Sequence, residues 1–375
     1  MKITGIELFH ISIPFVKPYA LSKIYGTPTH AQAVIFRVHT DAGIIGLGEA
    51  DPLTPFTHET PASVMVVTRD VIAPHLIGQD PTLIPVLESI LDKAVLGNLT
   101  ARGAVNMALY DIVGKVNNIP VHTLLGGRCH SRLSILGAIG SGTPEEDVAA
   151  IEEWINQGCN TIMIKMGALP IIDEIKRMSS IKNRFGNQVI IIADANQGWD
   201  VTETLAFFDG TGNCRPDMLE QPIDRYDLDG LKRIRDKAPC LLSVDESLES
   251  IHNATRLIRE GAADVFSIKV SKNGGLCKSK KIAQLAEAFG IKCLMNSMLE
   301  FGISQAASLH LGCTLTNLLD MGHAYHSVIR MSDDITDFGQ NISQGIVTVP
   351  SGNGLGVILD EDKLKIYTKD YLKIE

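Results

Sequence analysis

The chain has 375 residues, enough for two or three domains or for one large barrel with an attached domain. Hydrophobic residues make up 45% and charged residues 21%, ordinary globular proportions that exclude a disordered, collagenous or coiled-coil chain. The 34 Lys and Arg against 43 Asp and Glu leave a net charge of -9, which argues against nucleic acid or an anionic membrane surface as a partner. The N-terminus reaches Glu7 before any apolar run long enough for a signal peptide, and no stretch approaches the roughly 20 apolar residues of a membrane span, so a cytoplasmic location is expected. Seven scattered cysteines (Cys129, Cys159, Cys214, Cys240, Cys277, Cys293 and Cys313) form no Cys-x-x-Cys pair and read as reduced thiols.

In chain order, apolar and polar residues first alternate at Ile3, Ile6 and Leu8 and again over Ala33 to Val38. A turn at Asp41-Ala42-Gly43 precedes Ile44 to Gly48, which predicts an antiparallel meander. From about Pro61 to Asn117 the spacing becomes helical. Ala101, Ala104, Val105, Met107, Ala108, Ile112 and Val113 form an apolar stripe that stops at Asn117-Asn118-Ile119-Pro120. Residues 1 to about 130 therefore read as an α+β unit. After Gly126-Gly127, short β-branched runs alternate with amphipathic helices. The runs are Leu133 to Ile139, Thr161 to Lys165, Val189 to Asp194, Met218 to Glu220, Leu241 to Asp245, Val265 to Lys269, Cys293 to Asn296 and Leu318 to Leu319. Eight such runs predict an α/β fold, a (β/α)8 barrel. The helices start sensibly, as at Thr143-Pro144-Glu145-Glu146, where Thr143 caps and Pro144 fits the first turn. The tail from about Tyr325 lacks another βα unit. Its Val347-Thr348-Val349-Pro350 and Gly354-Leu355-Gly356-Val357 read as strand and turn material returning to the N-terminal unit.

In such a barrel the active site lies at the carboxyl ends of the strands. Three consecutive runs end in Asp194, Glu220 and Asp245, one βα unit apart, which sets their oxygens around one point of the mouth. Three converging carboxylates repel, and a hard divalent cation relieves the repulsion. Mg2+ is favoured because it keeps positions open for water or substrate, with Mn2+ as a substitute. Any one of these acids alone reads as a helix cap or surface residue; three in register point to a metal. Lysines end the second and sixth runs, Lys165 and Lys269, on opposite sides of the mouth. A single such lysine commonly snorkels to solvent. Two facing each other across a carboxylate triad point to proton transfer at the carbon α to a substrate carboxylate, through a metal-stabilised enediolate.

The pieces Lys165-Met166-Gly167, Asp194-Ala195-Asn196, Glu220-Gln221-Pro222, Asp245-Glu246-Ser247, Ile268 to Gly275, Ser297-Met298-Leu299-Glu300 and the closing Pro350 to Gly356 stand in an order and spacing that resembles the enolase superfamily. The likeness is to its muconate lactonizing enzyme branch, within the mandelate racemase/muconate lactonizing enzyme family, and covers nearly the whole chain. It implies a capping domain over residues 1–130, a modified (β/α)7β barrel over 131–324 and a tail, 325–375, that packs back on the cap. Loops near Tyr19 to Pro28 and Asp51 to Glu59 are then expected to close over a small carboxylate substrate. It further implies a Mg2+-dependent isomerase, either a racemase or epimerase of an amino-acid derivative or a muconate-type cycloisomerase. A syn-dehydratase of acid sugars or hydroxy acids is the alternative, and a noncatalytic ligand-binding relative a more remote one. The implied assembly is a homo-oligomer, a dimer or octamer by family analogy. Met163, Asn196, Glu246, Met298 and Glu300 are expected to contact substrate or to support the ligands. Two departures stand out. The branch usually has Lys-x-Lys at the second strand, and here the first position is Met163; at the eighth, Asp320-Met321-Gly322 replaces the Asp-x-Asp of dipeptide epimerases. His323 and His326 read equally as solvated loop residues and as polar contacts and stay outside the catalytic set. Lys272-Asn273-Gly274-Gly275 reads as a turn rather than a phosphate cradle, and Trp199 and Tyr325 either line the pocket or pack.

Overall fold

The computed structural model describes residues 1–375. Strands β1 (Ile3–Pro14), β2 (His30–Thr40) and β3 (Ile45–Ala50) pair antiparallel in chain order, as the alternation predicts. Helix Leu99–Asn117 lies directly on β3, an approach that Gly48 permits: a Cβ there would stand 2.0 Å from the Ala104 carbonyl oxygen. Val34, Phe36 and Val38 of β2 and Ala104, Val105 and Ile112 of the helix close one apolar core between them.

The run Leu133 to Ile139 does not form one strand. It splits at Ile135-Leu136 into β4 (Arg132–Ser134) and β5 (Gly137–Ile139), which join different sheets. Six more strands, β6 (Thr161–Lys165), β7 (Ile190–Asp194), β8 (Met218–Glu220), β9 (Leu241–Val244), β10 (Val265–Ile268) and β11 (Lys292–Met295), follow β5 in a seven-stranded parallel sheet whose order matches the chain. Their near-continuous apolar composition suits strands buried on both faces, by barrel interior and by helices. The eighth run makes no ladder. Leu318 bridges Cys293 of β11, Gly322 (φ 68°) turns the chain, and His323 bridges Ile135 beside β5, so the barrel closes through two isolated bridges. This is the α/β barrel expected, in its (β/α)7β form. Helix Pro144–Asn156 begins with the expected box: Thr143 accepts from the Glu146 N–H, and Glu146 accepts from the Thr143 N–H.

The tail returns to the cap as expected, but not through the stretch that the sequence suggests. After β12 (Ile342–Ser343), residues Ile346–Thr348 form β13, which pairs with β4 rather than with the N-terminal sheet. The strand that does return is β14 (Thr368–Ile374), antiparallel to β1. Its exposed, charged outer positions mask the alternation, and its partner lies more than 350 residues away in the chain. The Gly354-Leu355 turn does reach the N-terminal helix, where Leu355 N–H donates to Asp111 Oδ1 at 2.8 Å.

The sheet of β1 to β3 is tied to the barrel at a buried seam. Glu49 accepts from the N–H groups of Phe301 and Ser304, at 2.6 and 2.9 Å, at the start of helix Gly302–Gly312. Asp51 accepts from Ser304 Oγ at 2.7 Å, and Glu300 from Ser297 Oγ and Gln305 Nε2. No helix is long and apolar enough to cross a membrane. All seven cysteines are free thiols.

Candidate active site

The register of the sheet brings the sequence-predicted residues together. Lys165 pairs laterally with Asp194, and Asp194 with Glu220, so one level of β6, β7 and β8 carries all three. Asp245 follows the last residue of β9 and Lys269 the last of β10. Strands β6 and β10 are four places apart in a closed sheet, so their terminal lysines face each other across the mouth. Gly167, just past β6, keeps the rim tight: it lies at φ 78°, and a Cβ would stand 2.4 Å from the Ala195 carbonyl oxygen.

All three acids are fully buried. Lys165 Nζ contacts Asp194 Oδ2, and Lys269 and Lys272 each reach Asp245 at 2.6 Å, one on either carboxylate oxygen. Lys272, on the turn after β10, was not among the expected site residues; an ammonium in a glycine-rich turn gives no sign in sequence of where it points. Glu220 has no cation in contact and instead accepts from Asn296 Nδ2 at 2.8 Å and from Ser243 and Ser267 at 3.3 Å. Burial, then the charges of Asp194 and Asp245, push its carboxyl well above the usual range. Asp245 shows the opposite: burial would raise it, but Lys269 and Lys272 hold it down to about 2. Burial presses Lys165 and Lys269 toward the neutral amine, yet Asp194 and Asp245 prevail and hold both above the ordinary lysine value.

As the side chains stand, no three acids are grouped to chelate one ion, because lysines engage Asp194 and Asp245. The donor set nevertheless fits a hard divalent cation. Glu220 sits between two carboxylates without a counter-charge, and beside Asp194 and Asp245 the Asn196 Oδ1 and Glu246 Oε2 atoms are buried without a hydrogen-bond partner. Glu246, pushed up to about 7 by burial and by Asp245 and Asp194, adds to the same excess of negative charge. Asn196 donates to Glu246 at 3.2 Å, and Gln221 fixes Asp245 by accepting from its N–H at 3.0 Å. Three residues of these loops, Asn196, Gln197 and Gln221, hold positive φ.

Above the acids lies a narrow, partly open cavity of about 40 Å3. Met163, Lys165, Asn196, Lys269 and Met298 line it; Glu246 and Glu300 do not, Glu246 accepting from Asn196 and Glu300 bracing the loop after β11. Met163 and Lys165 share a face, as alternation requires, and Met163 belongs to the apolar barrel interior with Ile192 and Met218. The expected loops close the cavity with Tyr19, Tyr25 and Phe56, and the Lys269 ammonium lies 4.3 Å from the Phe56 ring centre. Arg225, after β8, ties both loops to the barrel: it donates to the Phe56 carbonyl at 3.1 Å, to the Tyr25 hydroxyl at 3.2 Å and to Glu249 at 3.1 Å. His326 lines the cavity too, whereas His323 is used by the barrel, its Nδ1 accepting from Met295 N–H at 3.2 Å. Trp199 packs on Phe207, and Tyr325 donates to the Ser308 carbonyl; neither lines the cavity.

Comparison with known proteins matches residues 5–126 to the mandelate racemase/muconate lactonizing enzyme N-terminal domain and residues 146–363 to the enolase C-terminal domain-like family. The chain is 31% identical to N-succinyl-L-Arg/Lys racemase of Bacillus cereus over 369 residues, covering 98% of each. The crystal structure of that racemase superposes with a TM-score of 0.95 over 100% of both chains. The chain is also 31% identical to L-Ala-D/L-Glu epimerase of Bacillus subtilis, covering 96% of this chain and 97% of that one. To the chloromuconate cycloisomerase of Cupriavidus necator it is 30% identical, covering 98% and 100%.

Proposed function

The chain belongs to the mandelate racemase/muconate lactonizing enzyme family of the enolase superfamily and is an isomerase, and from that premise we propose a racemase or epimerase of an amino-acid derivative that works by removing the proton α to a carboxylate. The observation that carries the reading is the pair Lys165 and Lys269, which line one cavity from opposite strands with three buried carboxylates between them. Two bases suit inversion, because one removes the proton and the other returns one to the opposite face.

Members of this family are metal-dependent. Asp194, Glu220 and Asp245 would hold the ion, Mg2+ with Mn2+ as a substitute, and when bound it supplies Lewis-acid charge for the substrate carboxylate. Asn196 and Glu246 orient the ligands. Once Asp194 and Asp245 serve as ligands they no longer neutralise the lysines, and burial then favours the amine that a base requires. Tyr25, Phe56 and Arg225 exclude water above the α-carbon.

Incubation with Mg2+ in D2O, across N-acylamino acids, amino-acid betaines and acid sugars, tests the reading. Deuterium at the α-carbon with loss of optical purity is expected. Lactone formation from a muconate without such exchange would favour the second reading, a one-base cycloisomerase, which the likeness to chloromuconate cycloisomerase supports.

A further inference from the structure

We infer a second ligand site on the outside of the barrel, a groove beside β5 that takes a small monocarboxylate with an apolar body on the free edge of Arg330. It goes beyond the reaction proposed above and does not depend on it. A helix follows each of the first seven barrel strands, but the eighth run is followed only by the single turn Ser327–Arg330 and the tail. No barrel helix therefore stands between that run and helix Pro144–Asn156, and a cavity of about 910 Å3 lies there. Sites for small organic ligands occupy roughly 300 to 1,000 Å3. Ile139, Ala150, Trp154 and Ile329 give the groove an apolar wall. Tyr19 and Ala138 line both the groove and the active cavity, so the two share a wall and an occupant of the groove touches the lid from outside.

Five charged side chains line the groove, and four are answered within the chain. Arg177 grips Asp147 with Nε and Nη2 at 2.5 and 2.8 Å, Glu146 accepts from the Thr143 N–H, and Lys17 pairs with Glu153 at 3.9 Å on the rim. Arg330 is the exception. Its guanidinium lies 3.5 Å from the centre of the Tyr19 ring and its Nη1 donates to the Ala138 carbonyl at 2.8 Å, two contacts that fix its plane. Nε and Nη2 donate to nothing in the chain, and no carboxylate pairs with them. They form the same edge with which Arg177 holds Asp147 side-on. A planar fork already oriented, with two parallel donors unused, matches a carboxylate bidentately and loses little freedom on binding it. An ammonium would meet Arg330 as a like charge, and a second carboxylate would meet Glu146 and Glu153. The Ala138 carbonyl also accepts from Trp154 Nε1 at 3.1 Å, which sets the fork beside the apolar wall that receives the rest of the ligand.

The test titrates the full, metal-free chain with 4-phenylbutyrate and with the uncharged 4-phenylbutanol, read by calorimetry and by 15N spectra. The chain has two tryptophans, hence two indole N–H signals. The acid is expected to bind with Kd below about 1 mM and to move the signal that is missing from Trp154→Phe, while that of Trp199, which does not line the groove, stays in place. The alcohol is expected to bind at least tenfold more weakly, as is the acid to Arg330→Gln and to Ala150→Trp, which fills the groove. Lys269→Ala, which removes a cation from the active cavity, should leave the affinity within twofold. An unmoved Trp154 signal, equal affinity of acid and alcohol, undiminished binding by folded Arg330→Gln or loss of binding in Lys269→Ala overturns the inference. The first two readings use the unaltered protein and decide even where a variant fails to fold. None involves α-proton exchange, so this site and the racemase reading stand or fall separately.

Discussion

Two buried acidic clusters flank the same rim, and they are built differently. At the seam between cap and barrel, Glu49 is held by two backbone N–H groups at a helix start, and Glu300 by a hydroxyl and an amide. At the mouth, Asp194 and Asp245 are held by lysine ammonium groups on long flexible stems, and Asn196 and Glu246 each keep one buried atom unpartnered. Backbone donors cannot leave, so Glu49 is committed to joining two parts of the molecule. Side-chain ammonium groups can exchange for another cation, so the mouth acids remain available. Burial and residue type are alike in the two clusters; they differ in that lysine ammonium groups engage the acids at the mouth and none engages those at the seam.

The strongest blow to this contrast falls on the mouth. Lys165→Ala and Lys269→Ala should each lower net racemisation by about a thousandfold or more, while each still exchanges the α-proton of the one enantiomer facing the remaining lysine. If only one substitution affects exchange, with either enantiomer, the enzyme uses a single base. Glu220→Gln should weaken Mg2+ binding by more than about tenfold, measured by calorimetry, and leave the melting temperature of the metal-free protein unchanged or higher, because the amide replaces a carboxyl already disfavoured as an anion. Equal metal affinity would remove Glu220 from the ligand set.

The seam should respond in the reverse sense. Glu49→Ala leaves the Phe301 and Ser304 N–H groups unpaired and should cost about 2 kcal/mol of stability in denaturant melts, with metal affinity unaltered. A matching drop in metal affinity would erase the distinction between the clusters. The smallest effect concerns pH. Burial raises Glu49, Asp51 and Glu300, and Asp51 adds to the rise at Glu49 and Glu300, bringing Glu300 to about 7. Groups that bind protons more tightly when folded give their full stability below the ordinary carboxylate range and lose it as pH climbs through the folded value. The metal-free melting temperature should therefore fall between about pH 5 and 8, and Asp51→Asn should flatten that fall by about 1 kcal/mol. A variant with an unchanged slope would place the titration elsewhere.

The barrel and the five central site residues were legible in the sequence, because each strand is a short apolar run and its last residue is the one that reaches the mouth. Legibility failed where pairing is non-local. Leu133 to Ile139 reads as one strand but serves two sheets, and β14 is too polar on its outer face to declare a partner at the other end of the chain. Lys272 and Arg225 escaped for a related reason, and His326 stayed undecided between a solvated residue and a polar contact. Nothing in a turn or loop sequence says whether an ammonium, an imidazole or a guanidinium will meet solvent or a carboxylate, and only the closed barrel decides it.

Arg225 gives the cap a property that neither loop has alone. Because one guanidinium grips the Phe56 carbonyl and the Tyr25 hydroxyl together, lifting either loop frays the attachment of the other, and the two leaves open as one door. Arg225 is thus a fastening shared by the two loops, at a point outside the proton-transfer chemistry.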